Sequence, residues 1–182
     1  MIYNSVADIC AVNDDVRRRI VEQVASLHEG QQSFRPAEAA WSVAEIVEHL
    51  AIIESNMVRL VTKLLAKIEH ETGGVSTAPH PMPPFSLDDY EAQIRDEKLV
   101  APEPIQPRGA SLNDSLARLN ESRAALNALR PRIETTDGTR AHYPHPFFGP
   151  LNLYQWLAFI GMHEARHLRQ IEGLLATMNA ER

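Results

Sequence analysis

Along four separate stretches of this chain apolar residues recur at steps of three and four. That spacing places them on one face of an α-helix. The first stretch runs from about Ser5 to Glu29 on Ile9, Val12, Val16, Ile20, Val24 and Leu27, and the polar triplet Asn13-Asp14-Asp15 is expected to dent or restart it. The second opens on Ser42-Val43-Ala44-Glu45, a capping box preceded by Trp41 as a hydrophobic staple. Its stripe continues through Ile46, Leu50, Ile53, Met57, Leu60 and Leu64 to about Glu69, and Gly73-Gly74 ends it. The third spans about Ser111 to Arg130 on Leu112, Leu116, Leu119, Leu126 and Leu129, with Pro131 expected to stop it. The fourth begins after Pro150 and runs through Leu153, Trp156, Leu157, Ile160, His163, His167, Ile171 and Leu174 to about Met178.

The segments between these stretches differ in kind. Residues 72–109 carry Pro79, Pro81, Pro83, Pro84, Pro102, Pro104 and Pro107, which exclude long helices. Leu87 to Leu99 predicts a short helix with Ser86 as its cap. Residues 133–150 begin with a turn at Thr135-Thr136-Asp137-Gly138-Thr139 and show no strong strand alternation. The expected fold is therefore all-α: a four-helix bundle with a long proline-rich crossover between helices two and three, residues 1–182 forming one domain.

Composition narrows the partners. At 182 residues and 44% hydrophobic content the chain can bury a core. A net charge of −6 argues against a nucleic-acid partner. The longest apolar run, Leu153 to Met162, is interrupted by Gln155, stopped by His163 and too short to span a bilayer. The start, Met1-Ile2-Tyr3-Asn4-Ser5, lacks the basic and apolar regions of a signal peptide, and Cys10 stands alone. The expectation is a cytoplasmic protein with no membrane partner.

The candidate chemistry lies in His163-Glu164-Ala165-Arg166-His167. Histidines four apart stack on one helical face, close enough for two imidazoles to share an ion. His49 lies beside Ile46, Leu50 and Ile53, and so is also expected to face the interior. Three unpaired inward imidazoles are costly, and one divalent metal satisfies all three while leaving positions open for a substrate or water. Glu48 and Glu164 are turned about 100° from the ligands and read as solvent-facing or supporting residues. Glu45 reads as a cap and Arg166 as a surface or interface residue. Asn56, Trp156, Gln170 and His145 are candidate pocket residues, with His142 near the mouth; His28, His70 and His80 read as helix ends or linker.

These residues carry a resemblance. Trp41 to Leu50, then His145-Pro146-Phe147-Phe148-Gly149-Pro150-Leu151, Trp156 and His163 to Ile171, together resemble the signature of the DinB superfamily, also described as DinB-like or YfiT-like metal-dependent hydrolases. The resemblance implies a four-helix bundle with a long crossover, often dimeric, with a metal held at His49, His163 and His167. It also implies relatives that transfer low-molecular-weight thiols. Two functions follow as expectations. One is a metal-dependent enzyme acting on a small molecule, by hydrolysis or thiol transfer, with a water or thiolate on the metal as the attacking group. The other is a non-catalytic metal-binding or stress-related bundle. Imidazole ligands suit zinc or nickel, with iron or manganese as alternatives. A thiol cofactor bearing carboxylates would want cations at the rim, for which Arg108, Arg140 and Arg169 are candidates.

Overall fold

A computed structural model describes residues 1–94 and 99–180. In chain order its elements are β1 (Ile2–Tyr3), α1 (Val6–Val24), α2 (Glu29–Ser33), α3 (Val43–Thr72), β2 (Phe85–Ser86), α4 (Asp88–Ile94), α5 (Leu112–Glu134), β3 (His142–His145), β4 (Gly149–Asn152) and α6 (Leu153–Ala180). The long helices α1, α3, α5 and α6 form a four-helix bundle. In it α3 packs along α5 and α6, and α1 packs along α6 and, more lightly, α5.

Residue pairing gives the helix directions. Asn13 meets Leu157, Arg17 meets Glu164 and Arg19 meets Glu172, so α1 and α6 run parallel. Glu54 meets Arg123 and Glu69 meets Arg132, so α3 and α5 are parallel too. Between these pairs the direction reverses: Asp14 meets Arg123 while Arg17 meets Leu119. A parallel α3–α5 pair explains the long crossover, because the chain leaving the end of α3 must return to its beginning before α5 can start. α4 and a single 3₁₀ turn at Glu103–Ile105 lie on that return path.

Serines set three of the helix starts. The hydroxyls of Ser5, Ser42 and Ser111 accept the N–H groups of Asp8, Glu45 and Asp114. Each satisfies one of the donors left free in a first turn. At Ser42 the box is reciprocal, with Glu45 accepting the serine N–H at 2.9 Å. The α3 helix closes on Gly73, whose φ of 83° suits the left-handed cap.

Several expectations are corrected. The first helix ends at Val24 rather than Glu29, and α2 is separate. Asn13 neither dents nor restarts α1; it is buried and donates to the Leu157 carbonyl at 3.0 Å. Pro131 does not stop α5, which continues to Glu134. The last turn is held by buried Ile133, by Arg132 paired to Glu69, and by the Thr135 and Thr136 hydroxyls on the Arg132 carbonyl. These contacts outweigh the one backbone N–H that proline lacks. Two short antiparallel ladders, β1–β2 and β3–β4, form where the sequence showed no alternation. The predicted helix at 87–99 is present as α4, and its stretch at 95–98 lies outside the described residues.

Apolar side chains gather in two clusters, one around Ile9, Val61, Leu65, Tyr154 and Leu157, the other around Ile20, Ile46, Leu50, Leu119 and Ile171. Between them lies a charged layer. Arg17 of α1 donates to Glu164 of α6, to Glu54 of α3 and to the Leu119 carbonyl of α5. Arg123 of α5 donates to Glu54 at 3.0 Å and Glu164 at 3.3 Å. Both carboxylates are 2% exposed as side chains, so two positive and two negative charges balance in the interior. Among the described residues no helix is long and apolar enough to cross a membrane.

The α1–α6 contact is close at Gly161, where a Cβ would lie 2.3 Å from the Asn13 Oδ1. Gly161→Ala should therefore destabilise the protein by about 1–3 kcal/mol despite alanine's better helix propensity. Urea unfolding followed by circular dichroism measures it.

Candidate metal centre

His49 lies in the second turn of α3, and His163 and His167 lie one turn apart near the middle of α6. Because α3 and α6 are antiparallel neighbours, the three rings meet. Ring centroids are 5.3 Å apart for His49 and His163, 5.0 Å for His49 and His167, and 4.6 Å for His163 and His167. One nitrogen from each ring can be chosen so that all lie within 4.8 Å of one another. A tetrahedral ion bound at 2.0–2.1 Å separates its ligand nitrogens by about 3.3 Å, so small side-chain shifts suffice to close on one.

Two rings are oriented by a hydrogen bond on the nitrogen away from that point. His49 Nδ1–H donates to the Ile105 carbonyl at 2.7 Å. His167 Nδ1–H donates to the Gln170 side-chain oxygen at 2.9 Å. An oxygen acceptor fixes the proton on Nδ1 and leaves Nε2 with a free lone pair, the arrangement by which supporting groups prepare imidazole ligands. Trp41 packs 5.0 Å from the His49 ring. His49 and His167 are buried, whereas His163 keeps an edge open.

Burial also keeps the rings neutral. Loss of solvent pushes His167 down to about 3, with His49 adding to the effect. The same cause holds His163 well below the ordinary histidine value, with His167 and His49 contributing, and lowers His49 against the pull of Ile105. Neutral imidazole is the metal-binding form. The three residues thus suit a divalent ion in number, geometry and protonation.

The surrounding candidates fall in varied places. Gln170 orients His167, as described. Trp156 is buried, donates its indole N–H to the Tyr143 carbonyl, and is separated from the triad by Phe159, whose ring is 5.8 Å from His163. His145 stacks on Phe148 at 4.4 Å and meets Phe159 at 4.7 Å, and burial pushes it down to about 4. Asn56 is exposed and does not join the site. It shares the angular face of His49 but lies about 10.5 Å farther along α3. His142 is exposed; His28 precedes α2, His70 is in the last turn of α3, and His80 lies 3.9 Å from Asp137. Arg108 is exposed on the crossover, Arg169 pairs with Glu91 at 3.2 Å, and Arg140 lies in the turn before β3, whose Gly138 carbonyl accepts the Leu153 N–H at the start of α6. Arg166 donates to the Ile94 carbonyl.

Glu48 and Glu164 are not solvent-facing. Glu48 is 3% exposed and accepts the backbone N–H groups of Arg108, Gly109 and Ala110 at 2.9–3.0 Å. Glu164 joins the charged layer, where burial raises its carboxyl while Arg17 and Arg123 pull it back. A bundle helix touches two neighbours, so a side chain turned 100° from one interface can enter the next. Arg17, Glu54 and Arg123 were missed from sequence. Their signal was a charge within an apolar stripe: Glu54 stands four residues after Leu50 and three before Met57. Ile105 was missed because its contribution is a main-chain oxygen.

A histidine triad between two helices of a bundle with a parallel crossover defines a class of protein, and comparison supplies the family. The DinB superfamily model matches residues 13–171, and the chain belongs to that superfamily. The uncharacterised protein YuaE of Bacillus subtilis is 25% identical over 165 residues, covering 89% of this chain and 94% of YuaE. The four-helix bundle protein TT2238 superposes with a TM-score of 0.62 at 22% identity, covering 92% of this chain and 98% of its own. YfiT of Bacillus subtilis, described as "a probable metal-dependent hydrolase with an unusual four-helix bundle topology", superposes with a TM-score of 0.61 at 19% identity, covering 95% of this chain and 87% of its own. At these identities the two structures share the fold.

Two outcomes are expected. Folded His167 takes its proton only near pH 3, whereas in the unfolded chain it does so near pH 6.5. Its contribution is therefore complete above pH 6.5 and is lost as pH falls toward 3. Between pH 7.5 and 5.0 the metal-free protein should lose roughly 2 kcal/mol from His167 alone, read by urea unfolding at each pH. Gln170→Leu should weaken zinc binding about 10–100-fold, measured by competition with a chromophoric chelator.

Proposed function

We propose that the protein is a metal-dependent enzyme acting on a small molecule, either hydrolysing an ester or amide or transferring a thiol to an electrophile. The observation that carries this reading is the triad itself: three neutral imidazoles, two with their outer nitrogens anchored, and no carboxylate among them. Three protein ligands leave coordination positions free, as catalytic sites do and closed structural sites do not. When bound, a divalent ion there supplies Lewis acidity and makes a coordinated water or thiol more acidic. Imidazole suits zinc, nickel or iron.

The chain's own residues supply the rest. His49, His163 and His167 hold the ion, and Ile105 and Gln170 keep two of their rings aimed at it. Phe159, backed by His145 and Phe148, presents an apolar wall beside His163 that excludes water from that side. Because the ligand set is uncharged, a divalent ion keeps both its charges, which favours an anionic group in the remaining positions.

Thiol transfer draws support from a further observation. Among the described residues, three carboxylates on the triad's own helices are committed: Glu48 to three backbone N–H groups, Glu54 and Glu164 to arginines. A reaction here therefore lacks a free carboxylate base from these three residues. A thiol loses its proton near 8.5, far more readily than water, and has less need of such a base. Hydrolysis draws its support from the likeness to YfiT. Assembly as a homodimer is part of the same proposal.

The test uses protein loaded with zinc or nickel, offered aryl esters in one assay and a small thiol with monochlorobimane in another. Turnover in either, reduced at least 100-fold by His167→Ala, is the expected result. Stoichiometric metal with turnover in neither assay would assign the triad to non-catalytic binding.

A further inference from the structure

The charged layer and the histidine triad are built on the same two helices. Glu164 directly follows His163 on α6, and Glu54 lies five residues beyond His49 on α3. One narrow cleft between the helices is lined by Leu50, Ile53, Glu54, Ile160, His163 and Glu164. Arg17 reaches both carboxylates from α1, and Arg123 reaches both from α5. Ser122 adds a hydroxyl to Glu54 at 2.9 Å. The two carboxylates therefore share two guanidinium groups, one from each side of the α3–α6 interface.

We propose that Arg17, Glu54, Arg123 and Glu164 are positioning residues for the metal ligands, setting the slide and rotation of α6 against α3. The inference rests on the reading of the triad as a metal site. A bound ion accepts ligand distances within about 0.2 Å. One residue of register between the helices moves a side chain by about 1.5 Å along the axis and 100° around it. Apolar burial is non-directional and leaves small slides nearly free. Guanidinium–carboxylate hydrogen bonds are directional, because the planar fork fixes both distance and angle. The quartet adds that directionality between the two apolar clusters, beside His163, with which Glu54 and Glu164 line one cleft. Well-packed apolar residues could stabilise such an interior as well or better, so stability alone does not account for four buried charges.

The experiment separates positioning from stability by measuring both. In the full-length protein, Arg17→Lys keeps the charge and removes the fork. A quadruple variant, Arg17→Met, Glu54→Leu, Arg123→Met and Glu164→Leu, removes all charge while keeping approximate volume. Each is checked for folding by circular dichroism and thermal melting without metal, and its zinc dissociation constant is measured by chelator competition. Positioning predicts a zinc dissociation constant raised at least 10-fold in the folded variants, the quadruple variant included even where its melting temperature equals or exceeds the parent's. Parental affinity in either folded variant overturns the inference, since a purely stabilising role would lower melting temperature and leave the site intact. A parent that binds no zinc removes the metal reading and this inference together; a parent that binds zinc beside variants that bind it equally well removes only the inference.

Discussion

A polar group inside a helical bundle must find its complement there, and this requirement organises the middle of the molecule. Arg17, Arg123, Glu54 and Glu164 close on one another with no net charge. Asn13 gives its amide to a carbonyl of the facing helix, and Glu48 gathers three backbone N–H groups. His49 and His167 use one nitrogen each within the protein and keep the other. Among the described residues the Asn13 Oδ1 and the Ser115 Oγ are left without a partner, and the largest departure from this pattern is the cluster of three imidazoles, whose ligand nitrogens lie within 4.8 Å of one another. They mark where the fold reserves capacity for something from outside.

The direction of the helices explains why the site lies where it does. An up-and-down bundle with short loops would set every sequential neighbour antiparallel. Here α3 and α5 run the same way, which obliges the chain to travel back along the bundle between them. That return brings Ile105 over His49 and residues 108–110 over Glu48. The crossover is thus part of the site's wall as well as a connection. The two small ladders serve similar ends: β1–β2 ties the N-terminus to the crossover, and the β3–β4 hairpin brings His145 and Phe148 against Phe159.

The four long helices were legible because each carries an apolar period, and the capping box at Ser42 forms as its spacing suggested, whereas the caps at Ser5 and Ser111 were not foreseen. The meeting of His49 with His163 and His167 was legible because all three lie on their helices' apolar stripes. Other features were hidden for separable reasons. Pro131 misled because tertiary contacts to the last turn of α5 exceed one missing hydrogen bond. For Glu48 and Glu164 only the solvent-facing alternative failed, because a single helical wheel cannot show that a second neighbour waits at the next interface. Asn56 had the right angle and the wrong height. The ladders could not be foreseen from alternation, since strands of two to four residues are too short to express it.

The clamp on His49 has a consequence for how such a chain can vary. What residues 105–110 offer the ring is a peptide oxygen, and what they offer Glu48 is a row of peptide nitrogens; apart from Gly109, whose φ of 91° favours glycine, the identity of their side chains scarcely enters. Substitutions at 105–108 and 110 should be broadly tolerated, whereas insertions and deletions would shift the oxygen and turn the ring. Selection on the segment would then act on its length more than on its letters, and a change of spacing there could retune ion preference while every ligand stayed the same.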